Sequence, residues 1–124
     1  MNSMMMLKVS ATLFAIAALG GLTMAAIRLG RGFNPPAWLA MLHGILAASG
    51  LTLLTYAAFV VGVPALAWYA LVLFAIAAIG GAVMNLGYHW HNQPIPAGLL
   101  MAHAALAVVG FVLLLLAIVT SVPA

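Results

Sequence analysis

Apolar residues run almost without interruption through four stretches of the chain, 6–28, 36–60, 64–88 and 96–119, and polar residues collect in the breaks between them. Each stretch approaches or exceeds the ~20 residues that cross a hydrocarbon core. Backbone groups inside lipid must be satisfied within their own segment, and helices do this. The pattern predicts an all-α fold, a four-helix transmembrane bundle with short connections and up-down-up-down order. The first stretch has some marks of a secretory leader: Lys8, an apolar run, and small residues at 23–26. The same segment recurs in the second half of the chain, which favours reading it as a span.

Composition supports the membrane reading. Of 124 residues, 69% are hydrophobic and 2% are charged. A soluble domain carries about a quarter charged residues, so most of this surface is expected to face lipid. The charged residues are Lys8, Arg28 and Arg31, and Asp and Glu are absent. The basic balance reflects missing acids rather than a basic patch, which argues against nucleic acid as a partner. Without cysteine there is no disulfide, no thiolate metal site and no clue to redox compartment.

The halves repeat each other. LFAIAALGG at 13–21 matches LFAIAAIGG at 73–81, and Met24, Pro36, Met41, His43 and Gly50 match Met84, Pro96, Met101, His103 and Gly110, always at an offset of 60. Residues 1–124 read as one membrane domain built from two tandem helical hairpins, 6–60 and 64–120. Each hairpin has two spans, so both share one orientation. Pro36 and Pro96 are placed in the first helical turn, where proline costs no hydrogen bond. His43 and His103 then lie seven residues in, about 10 Å from the helix start. Counting back along the preceding spans puts Gly21 and Gly81 at about that depth.

An ionisable residue inside a span is a functional hypothesis by default. The structural alternative is a neutral histidine that donates to a carbonyl of a neighbouring helix. Imidazole also suits iron, copper and zinc. A bare ion held by two neutral imidazoles would keep its full charge in hydrocarbon. A haem neutralises most of that charge, supplies four ligands and needs only two axial groups from protein. Adjacent helix axes lie about 8–10 Å apart, so diagonal axes are roughly 11–14 Å apart, room for two imidazoles meeting one iron. Helices two and four are diagonal in a sequential bundle. Gly20, Gly21, Gly80 and Gly81 would clear the ring edges facing helices one and three, although close helix packing also uses such residues. Ala47 and Gly50 follow His43 along one face, and Ala107 and Gly110 follow His103, leaving room for a ring. Met24 and Met84 could pack against a ring edge. Met41 and Met101 point elsewhere, to lipid or another helix.

This layout resembles the four-helix haem core of membrane b-type cytochromes, with the cytochrome b of quinol-oxidising bc complexes as the nearest pattern. The resemblance spans all four helices and implies one haem b per chain. His43 and His103 become the axial ligands, and Gly20, Gly21, Gly80 and Gly81 the ring-edge positions. The chain departs from that family in two ways. The family's second histidine on each ligand helix, about four turns along, is replaced by the neighbourhood of Tyr56 and Ala57 and of Leu116 and Ala117. The quinol-pocket motif is absent. Only one haem near one membrane face follows, too few to relay electrons across the bilayer.

The connections RLGRGFNPP, 28–36, and YHWHNQPIP, 88–96, both lie on the histidine side. Arg28, Arg31 and His91 could pair with haem propionates, or Arg28, Arg31 and Trp90 could be ordinary interfacial anchors. The triplet of His89, Trp90 and His91 invites copper, but no third ligand is evident; contact with a quinone or a propionate, or a plain solvated interface, are its other readings. Two arginines against Lys8 mildly favour cytoplasmic loops, in a bacterial inner membrane.

Three functions compete. The leading one is a b-type cytochrome that passes single electrons to a quinone or redox partner. It is an electron-transfer component rather than a self-contained enzyme, since the chain lacks a nucleophile, a carboxylate pair and any general acid beyond histidine. The second is a membrane anchor or assembly subunit without its own cofactor. The third is a small transporter, disfavoured by the absence of carboxylates and of spans broken by proline. Homo- or hetero-oligomers fit the first two.

Overall fold

The computed structural model describes residues 1–121; the last three positions of the predicted 1–124 domain lie outside it. Helix α1 covers Ser3–Arg31 and α2 covers Ala37–Tyr56, extended by a π-helical turn, Ala57–Val61. Helix α3 covers Ala65–Val83, extended by a π-helical turn, Met84–His89, and α4 covers Ala97–Thr120. All four are long and apolar enough to cross a membrane. The chain is an integral membrane protein, a four-helix transmembrane bundle.

Local chemistry sets the boundaries. Asn2 starts α1 by accepting the amide of Met5 through its side chain at 2.8 Å, which satisfies one orphan N–H of the first turn. Gly32 ends α1 in the left-handed region, φ 78°, with its N–H bonded to the Arg28 carbonyl. Glycine adopts that conformation without a Cβ penalty. Pro36 and Pro96 stand one residue outside their helices, in extended conformation. Their carbonyls already accept from Ala40 and Leu100.

The helices pack as two hairpins, α1 against α2 and α3 against α4, with lighter contact between hairpins along α1–α4 and α2–α3. The pairs α1/α3 and α2/α4 are therefore diagonal. The dry core lies on the side of the chain termini. It is built from Leu7, Ala11 and Phe14 of α1, Leu54 and Ala58, Ala67, Ala70, Leu71 and Phe74 of α3, and Leu114 and Ala117 of α4. At its upper edge Phe14 and Phe74 stack across the diagonal, centroids 3.8 Å apart and planes within 6°. Gly50 and Gly110 sit beside this pair. A Cβ on Gly50 would meet Phe14 at 3.3 Å, and one on Gly110 would meet Leu73 at 3.4 Å. Small residues let membrane helices approach closely. Ser10, fully buried, adds a hydrogen bond of 2.8 Å to the Gly50 carbonyl.

Aromatic residues mark the two water interfaces. Trp38 and Trp90 are exposed on the loop side, and Tyr56, Phe59, Trp68 and Tyr69 on the terminus side. From Trp38 to Tyr56 along α2 is about 27 Å at 1.5 Å per residue, close to the thickness of a hydrocarbon core.

Candidate functional site

His43 lies five residues inside Trp38, so it is about 7.5 Å below the loop-side interface. Its partner across the bundle is His103. The ring centroids are 6.2 Å apart and the planes meet at 68°. Each Nδ1 is 2.7 Å from a carbonyl of the preceding helix: Ala17 for His43 and Ala77 for His103. A carbonyl only accepts, so each Nδ1 carries the proton. The neutral imidazole then keeps its lone pair on Nε2. Among the described residues neither Nε2 has a protein hydrogen-bond partner. The histidine-to-carbonyl bond of the structural alternative is thus made, and it uses only one nitrogen of each ring. The same arrangement fixes tautomer and orientation in metal-ligating histidines.

The pair can be tested against a shared metal centre by distance. Metal–imidazole nitrogen bonds of about 2 Å on opposite sides of one ion put the ring centres about 6 Å apart. The observed spacing meets this. At this level the glycines face the histidine-bearing helix of their own hairpin. A Cβ on Gly20 would touch only His43 and Leu39, at 3.9 Å, and a Cβ on Gly80 or Gly81 would touch only His103. No atom of the opposite hairpin approaches these three positions within 4 Å. One layer towards the termini the Phe14–Phe74 stack closes the seam between the hairpins.

The other candidate residues separate into groups. Gly21 and Gly81 lie against the imidazoles themselves: added Cβ atoms would meet the Cε1 atoms of His43 and His103 at 3.1 and 3.3 Å. Ala47 and Ala107 are half-buried beside the pair, and Ala47 also packs on the dry core. At Gly50 and Gly110 the cleared space is taken by α1 and α3 side chains, with Phe14 and Phe74 among them. Met84 is buried and Met24 half-buried, whereas Met41 and Met101 are exposed.

The polar rim is knitted across the two hairpins. Arg28 donates through Nε to the Ile95 carbonyl at 2.9 Å and through Nη1 to the Gly32 carbonyl at 3.2 Å. Asn34 donates to the Gln93 carbonyl at 2.7 Å and accepts the Ile95 amide at 3.0 Å. His89 donates through Nε2 to the Pro35 carbonyl at 2.8 Å. Arg31 and His91 are exposed. Among the described residues no group of three His, Cys, Asp or Glu side chains is placed to hold a metal ion, so the His89–His91 triplet gains no third ligand of these kinds. Sequence reasoning passed over Asn34 and the Ala17 and Ala77 carbonyls. Asn34 stands out only as a polar residue before two prolines, and a backbone carbonyl leaves no trace in the side-chain pattern.

Shallow grooves run along the outer face of α2, lined by Ser49, Thr52, Thr55, Tyr56 and neighbouring apolar residues. They lie on the opposite side of the helix from the histidine pair. The matching positions of α4 are Val109, Val112, Leu115 and Leu116. Comparison of the chain with protein-family models, curated proteins and solved structures returns no match.

Proposed function

We propose that the chain is an integral membrane b-type cytochrome that holds one haem b between His43 and His103 and passes single electrons to a quinone or a redox protein. One observation carries this reading. Two imidazoles stand on diagonal helices with centroids 6.2 Å apart, each anchored through Nδ1, with Nε2 left to bind. Two neutral nitrogen donors without a carboxylate suit a centre whose charge is already balanced, as in haem.

A bound haem supplies a one-electron couple and no bond-making chemistry. The chain's own residues orient and enclose. The Ala17 and Ala77 carbonyls hold the donor tautomer and raise ligand basicity. Gly20 and Gly80 keep side chains away from the histidine-bearing helix of their own hairpin. The Phe14–Phe74 stack closes the site towards the termini. Arg28 and Arg31 offer positive charge near the loop side for the propionates, and Arg28 keeps guanidinium N–H groups free beyond its two backbone bonds. The exchange partner then approaches from the loop side, and Arg28 and Arg31 against Lys8 favour a cytoplasmic loop side by the positive-inside rule.

A visible absorption spectrum of the purified protein tests this. A Soret band that sharpens on reduction, with six-coordinate low-spin iron, is expected. His43→Ala or His103→Ala should abolish or alter haem binding, and Lys8→Ala should not. A colourless preparation from haem-replete cells sinks the proposal. It would leave the second reading, a cofactor-free anchor subunit. That reading is supported by the hydroxyl-bearing outer face of α2 as a docking surface, and it expects His43→Leu to leave partner binding intact.

A further inference from the structure

The two glycines of each pair differ in what they touch. At Gly20 a Cβ would make ordinary contacts, with His43 Cβ and Leu39 at 3.9 Å. At Gly21 it would lie 3.1 Å from His43 Cε1 and 3.4 Å from Nδ1. In the second hairpin a Cβ on Gly80 would lie 3.9 Å from His103, and one on Gly81 would lie 3.3 Å from Cε1. The imidazole edge is thus held from two directions, by a carbonyl pulling on Nδ1 at 2.7 Å and by the bare backbone face that Cε1 lies against. A methyl on that face must push the ring, and the ring cannot turn without straining the hydrogen bond. Glycine also opposes helix formation at these interior positions, so local preference does not explain it.

We infer that Gly21 and Gly81 are positioning residues that fix the plane of each imidazole, and so hold the 68° angle between the two rings. The consequence for a cofactor rests on the cytochrome reading; the seating of the rings does not. Imidazole orientation governs how ligand π orbitals meet the iron d orbitals. The two glycines therefore set the electronic state of the proposed centre without touching it.

Gly20→Ala, Gly21→Ala and Gly81→Ala in the full chain test this. The first readout is nitrogen NMR of haem-free, histidine-labelled protein in nanodiscs. Gly21→Ala should shift the ring resonances of His43 more than those of His103. Gly81→Ala should do the reverse, by less, because its clearance is larger. Gly20→Ala should move neither. The second readout is the low-field EPR signal of the oxidised, haem-loaded protein, which should move in Gly21→Ala and Gly81→Ala with haem content retained, and hold still in Gly20→Ala. The inference is overturned if Gly20→Ala shifts the rings as much as Gly21→Ala, or if neither Gly21→Ala nor Gly81→Ala shifts its own histidine. Should Gly21→Ala fail to fold, Gly81→Ala against Gly80→Ala decides in the second hairpin. Ring shifts as described in a protein that takes up no haem would remove the cytochrome reading and leave the seating intact.

Discussion

Ser10 and Ala70 hold matching places in the two hairpins, both fully buried, and only Ser10 carries a hydroxyl. Its bond to the Gly50 carbonyl joins α1 to α2, so Ser10→Ala should lower stability by about 1 kcal/mol or less, the usual worth of a hydrogen bond between membrane helices. Chemical unfolding in a mixed micelle measures it. Phe14→Ala is expected to cost more, about 3 kcal/mol or above, because it empties a packed site and orphans Phe74. The same assay should place it well beyond Ser10→Ala. The contrast explains what was legible at this scale. His43 and His103 stand out because an ionisable ring in an oily run is rare. The glycines stand out because they come in pairs beside one another. Phe14 and Phe74 are two apolar residues among many, so their stacking leaves no mark on the pattern. Nor does the carbonyl of Ala17, which any residue would supply.

At the scale of elements, the four spans and their order follow from apolar run length alone. The boundaries differ where side chains act on the backbone. Helix α1 begins at Ser3 rather than 6, because Asn2 caps it, and it runs on to Arg31, where Gly32 turns the chain. The two π-helical turns, Ala57–Val61 and Met84–His89, have no counterpart in the hydrophobic pattern. Each widens the end of a helix, and the second delivers His89 to the Pro35 carbonyl. The clasp between the loops is likewise invisible beforehand, because its partners lie about sixty residues apart and most are backbone atoms. Asn34→Ala removes two of its bonds and should raise hydrogen exchange at the Ile95 amide, read by NMR or mass spectrometry. Gly32→Ala forces a side chain into the left-handed region and should destabilise the end of α1 by about 1 kcal/mol, measured by thermal unfolding.

Over the whole molecule, residues sixty apart meet at the centre of the bundle, Phe14 with Phe74 and His43 with His103. The two hairpins make the same histidine-to-carbonyl bond. They differ on their outer faces, where Ser49, Thr52 and Thr55 of α2 are matched by Val109, Val112 and Leu115 of α4. The connections 28–36 and 88–96 lie on the opposite side of the membrane from Ser3 and Thr120. Because the chain has no cysteine, Gln93→Cys and Ser3→Cys should react with an impermeant thiol reagent from opposite sides, and the proposed orientation expects Gln93→Cys to be reached only from the cytoplasm. The depth of His43 has an electrical consequence. The pair lies about 7.5 Å inside a core of about 27 Å, roughly a quarter of the way across. A charge arriving from the loop side therefore crosses about a quarter of the membrane voltage, about 0.6 kcal/mol per 100 mV where a full crossing is worth about 2.3. A charge held between these two histidines is therefore only weakly coupled to the membrane voltage.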